Sequence, residues 1–124
     1  MNLFIKVKML DEYNATYILK YQKENKSLLF PIMSVKSDKK INENYVILYA
    51  LYDFIRANRN SEKVKLTFYP NNDQIYCEWL ENRSDNVLWG LIRKELSISN
   101  IKLEIKKSDS LLNNISEVLE IYDA

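Results

Sequence analysis

Hydrophobic and polar residues alternate with a period of two at the start of the chain. Leu3, Ile5, Val7 and Met9 fall on one side, and Phe4, Lys6, Lys8 and Leu10 on the other. This spacing predicts a half-buried strand. The turn-forming stretch DEYN (11–14) separates it from ATYILKYQ (15–22), a second strand, and so short a connection predicts a hairpin. KENKS makes a further turn before LLFPIMSV (28–35), a third strand. Pro31 has no N–H for a neighbouring strand, which places this one at a sheet edge.

After the polar loop KSDKK the period changes. NENYVILYALYDFIRANRN (42–60) is apolar on nearly every side and holds no helix breaker, so it predicts a helix buried on more than one face, with Asn42 as its cap. Tyr45, Tyr49 and Tyr52 at i, i+4 and i+7 read as core packing. VKLTFY (64–69) alternates again, and PNND ends it. QIYCEWLEN (74–82) follows as a helix with Ile75, Trp79 and Leu80 at helical spacing. NVLWGLIRKEL (86–96) is another, with Ser84 or Asp85 as cap. Gly90 inside that helix costs roughly 1 kcal/mol against alanine, which points to close helix packing there. NIKLEIKK (100–107) is a fifth strand with Ile101, Leu103 and Ile105 inward. Ser108 or Asp109 opens a last helix through Tyr122, with Leu112, Ile115, Leu119 and Tyr122 on one face. The order β-β-β-α-β-α-α-β-α predicts a single α/β domain over residues 1–124. Its mixed five-stranded sheet has right-handed crossovers that place helices on the sheet faces.

Composition removes much chemistry from this scaffold. The 124 residues include no histidine, one glycine and one cysteine, with 18 basic and 17 acidic side chains. Without histidine there is no Ser-His or Cys-His nucleophile pair. A single cysteine allows neither a structural zinc site nor an internal disulfide, and Cys77 reads as a small buried hydrophobe. A single glycine allows no glycine-rich phosphate loop. The longest apolar run, Tyr45–Tyr52, is far short of the ~20 residues of a membrane span, and the lysines in MNLFIKVKML argue against a signal peptide. A cytoplasmic setting is the expectation. The net charge of +1 leaves room only for local basic faces. Lys6, Lys8, Lys20, Lys36, Lys39 and Lys40 form one such candidate rim for nucleic acid on the first three strands. Lys102, Lys106 and Lys107 form another on the fifth.

The order and lengths of these elements resemble the ribonuclease H fold over nearly the whole chain. ATYILKY resembles the family's second strand. ENYVILYAL resembles the start of its first helix, where a catalytic Glu precedes an Ala-Leu pair by seven residues; Glu43 and Ala50-Leu51 take those places. NDQIY resembles the family's Asp-Ser-Gln segment after the central strand. NNISEVLE resembles the C-terminal motif in which an Asn, here Asn113, precedes a catalytic acid, here Glu117. The resemblance implies two Mg²⁺ ions held by four carboxylates for phosphodiester hydrolysis, metals that hard oxygen ligands suit. Asp11, Glu43, Asp73 and Glu117 stand in the matching chain order as catalytic and metal-binding residues.

The chain also departs from that pattern. The small loop after the family's first acid is missing, since DEYN already forms the turn. The direct alignment puts Asn72, not Asp73, at the third acid. The histidine that assists many members is absent. These departures lead to the expectation of a ribonuclease H-like protein with lost or strongly reduced nuclease activity and no required cofactor. It would bind a protein or a structured nucleic acid, as an accessory factor such as an anti-defence protein of a virus or mobile element working in the host cytoplasm. The alternative is a divergent Mg²⁺-dependent nuclease on RNA or RNA–DNA hybrids. A homodimer joined through an exposed strand edge is a third reading.

Overall fold

The leading alternation turns Leu3, Ile5 and Val7 toward one buried layer. A computed structural model describes residues 1–24, 26–60, 62–70, 73–82 and 86–106. The predicted last helix, Glu117, Asn72 and Lys107 lie outside the described residues. The elements are β1 (Asn2–Met9), β2 (Asn14–Lys23), β3 (Lys26–Leu29), β4 (Met33–Lys36), α1 (Glu43–Ala57), β5 (Val64–Phe68), α2 (Asp73–Leu80), α3 (Val87–Ile98) and β6 (Ile101–Ile105).

The sheet runs β3-β2-β1-β5-β6, with β4 also paired to β2. β1 and β2 form the antiparallel hairpin, while β5 joins β1 and β6 joins β5 in parallel. The predicted third strand is two strands, so the sheet has six rather than five. Leu29 pairs with Lys20 and Met33 with Tyr17, so Phe30, Pro31 and Ile32 stand against only Ile18 and Leu19. An extra residue of this kind is a bulge, and Pro31 without its N–H is suited to it.

α1 lies on one face of the sheet. Val46, Leu48, Ala50, Leu51 and Ile55 are fully buried on it, and Asn42 Oδ1 accepts the Tyr45 N–H at 2.8 Å to close its first turn. The three tyrosines of α1 are half-buried against this core. α3 adds Leu88, Trp89 and Ile92 from the same side, and the Trp89 ring lies 5.8 Å from that of Trp79.

Four expectations are corrected. Gly90 is exposed, and among the described residues a Cβ there would meet nothing within 4 Å, so none of them packs close. Cys77 is exposed because α2 turns Ile75 and Glu78 inward. Leu80 is exposed on the same helix. Lys20 is buried on the central part of β2 and so is no part of an exposed rim.

Candidate nucleic-acid interface

β1 and β5 run parallel, so the β1–β2 turn and the start of α2 fall at one end of the sheet. The loop before α1 is stitched to that turn: Ser37 N–H donates to Tyr13 O at 2.9 Å and Ile41 N–H to Glu12 O at 2.8 Å. Lys40 adds an ion pair with Glu12 at 3.5 Å. The N-terminus of α1 therefore reaches the same end. Asp11, Glu43 and Asp73 all belong to it.

Each of these acids has local work. One Asp11 carboxylate oxygen accepts the Tyr13 N–H at 2.7 Å, and both accept the Asn14 side-chain amide at 2.9 Å. The Tyr13 N–H, and after it the Asn14 amide, hold the carboxyl below its ordinary pKa. This is an Asp-stabilised turn. Glu43 and Asp73 are exposed first residues of α1 and α2, where the helix dipole favours an acid. Among the described residues, no three Asp, Glu or Cys side chains stand together closely enough to hold a metal ion.

A polar cleft of about 400 Å³ opens beside them, lined by Asn42, Asn44, Tyr45, Gln74, Glu78, Asn86 and Val87. Asn42 and Asn86 accept backbone N–H groups of the helices they cap. Glu78, which no sequence motif singles out, is buried and accepts Trp89 Nε1–H at 2.8 Å and Gln74 Nε2–H at 3.0 Å. Only its spacing of four residues from Gln74 on one helix signals the arrangement.

The lysines are differently placed. Ile5, Val7 and Val35 point into the core with α1, so Lys6, Lys8 and Lys36 lie on the opposite face of the sheet. Lys8, Thr16 and Ser34 form one cross-strand row, and Asn14 with Lys36 the next. Lys39 and Lys40 follow, exposed, in the loop tied to the hairpin turn. This is a basic and hydroxyl-bearing surface at the end of the sheet that holds the acids.

No family model matches the chain, and no curated protein matches it. Its fold is shared with solved structures. RNase H1 of the halophilic archaeon Halobacterium salinarum NRC-1 superposes with a TM-score of 0.59 at 10% identity, over 99% of this chain and 98% of that one. The N-terminal RNase H domain of Rv2228c from Mycobacterium tuberculosis does so at 0.54 and 12%, over 99% of each chain. LC11-RNase H1, solved in complex with an RNA/DNA hybrid, does so at 0.51 and 9%, again over 99% of each. The chain has a ribonuclease H-like α/β fold. Among the described residues no helix is long and apolar enough to cross a membrane.

Proposed function

We propose that this chain is a ribonuclease H-like module that binds structured nucleic acid without efficient cleavage. The observation that carries this is the commitment of both Asp11 oxygens to the hairpin turn, with no metal-holding group among the described residues. Lys6, Lys8 and Lys36, with Lys39 and Lys40 beside them, supply the phosphate contacts. A fold neighbour solved with an RNA/DNA hybrid supports a duplex of that kind as ligand. Binding without cleavage suits an accessory factor, and the Lys- and Asn-rich composition fits a virus or mobile element.

Fluorescence anisotropy with a labelled RNA–DNA hybrid over a salt series tests the reading. Replacing Lys6, Lys8 and Lys36 with alanine lowers the slope of log affinity against log salt by roughly 0.9 for each lost contact. A slope unchanged by the three substitutions overturns the interface.

A second reading is a divergent Mg²⁺-dependent nuclease using Asp11, Glu43, Asp73 and Glu117. It is favoured by the common end of the sheet on which the first three lie. Cleavage of the hybrid that Glu43→Gln abolishes would establish it.

A further inference from the structure

The edge made by β3, the bulge and β4 carries an apolar surface. Leu28, Leu29, Phe30, Ile32 and Met33 are exposed at 57, 42, 37, 56 and 46%. Only Pro31 interrupts them, and it too is exposed. The Phe30 ring stands edge-on to Phe54 of α1 at 6.4 Å. Exposed apolar groups on an edge strand are ready for another chain.

The flanks decide which chain. Lys23 and Lys26 lie exposed on one side and Lys36, Lys39 and Lys40 on the other, against one exposed acid in each flank, Glu24 and Asp38, and Lys40 is also paired with Glu12 at 3.5 Å. A second copy fits poorly. The antiparallel register with the greatest apolar overlap centres on Pro31. It sets Lys26 against Lys36 of the copy and Glu24 against its Asp38, and like charges directly opposite destabilise a strand pair. The bulge also twists this edge away from flat self-association. A segment that alternates acids with apolar residues meets both the apolar centre and the basic flanks.

We propose that the β3–β4 edge docks an extended, acidic segment of another protein through its apolar side chains. This surface borders the lysine face assigned to nucleic acid and shares Lys36, Lys39 and Lys40 with it, whereas Leu28, Leu29, Ile32, Lys23 and Lys26 belong to the edge alone and distinguish the two readings.

The test uses the whole chain and two fluorescent octapeptides. One alternates Glu with Ile and Val; the other has Lys in place of every Glu. Anisotropy shows saturable binding of the acidic peptide alone. Its affinity falls at least tenfold in Ile32→Asp and in Lys23→Glu/Lys26→Glu, whereas hybrid binding by Ile32→Asp is unchanged. Equal binding of the two peptides, or none of the acidic one, overturns the proposal. So does a dimer in light scattering that Ile32→Asp dissolves, which makes a second copy the occupant. Competition by a single-stranded oligonucleotide that Ile32→Asp relieves makes the edge a nucleic-acid site and overturns it as well.

Discussion

The Trp89 indole N–H donates to the buried Glu78 carboxylate at 2.8 Å, tying α2 to α3. A buried acceptor deprived of its donor carries a desolvation cost, whereas replacing both partners with apolar groups restores much of it. Trp89→Phe is expected to lose about 1–3 kcal/mol in urea unfolding. Adding Glu78→Met should recover part of that loss. A double variant whose effects simply add contradicts the coupling.

Asp11 gives a pH signature. Its carboxyl pKa lies below the ordinary 3.8, first through the Tyr13 N–H and then through the Asn14 amide. A depressed carboxylate pKa stabilises the fold above the unfolded value and loses that contribution as pH falls through the folded one. Carbon-detected NMR should place the Asp11 midpoint below 3.8, and Asn14→Ala should raise it. A midpoint at or above the ordinary value means the turn is not held this way.

Tyr17 acts at the other end of the scale. Burial, then the Asp53 charge and Tyr49, push its phenol up to about 12 from 10.0. The folded state keeps this proton more tightly than the unfolded one. Its stabilisation is present below pH 10 and is lost as pH rises toward 12. Absorbance at 295 nm should show Tyr21 delayed by its burial and a last, most delayed step that Tyr17→Phe removes. A titration with all tyrosines ionising together contradicts it.

Gly90 lies exposed inside α3, and none of the described residues comes within 4 Å of where its Cβ would be. Gly90→Ala should raise stability by up to about 1 kcal/mol, read as a higher urea midpoint with an unchanged slope. A destabilised variant implies a neighbour that needs the glycine.

The parts legible from sequence were those in which one face alone is buried. Ile5 and Val7 on β1, parted by Lys6, and Ile101, Leu103 and Ile105 on β6, parted by Lys102 and Glu104, announce their strands, although Phe4 is buried on the other face of β1. α1 announces itself by its apolar girth. β2 hides more, since Ile18 and Lys20 on one face are as buried as Tyr17 and Leu19 on the other. A lysine in an alternating strand reads as solvated, and only the tertiary setting buries Lys20. Pro31 signals an edge, but the three-against-two register around it depends on strand pairing. The end of the sheet that gathers Asp11, Glu43 and Asp73 follows from chain order. What Asp11 binds does not, because the hairpin geometry puts its carboxylate on Tyr13 and Asn14.

Binding without cleavage is decided by following one 5′-labelled RNA–DNA hybrid for both in the same samples with Mg²⁺ or Mn²⁺. A shifted, intact hybrid is expected, and loss of the shift when Lys6, Lys8 and Lys36 become alanine. Metal-dependent strand cleavage that disappears with Glu43→Gln would contradict it.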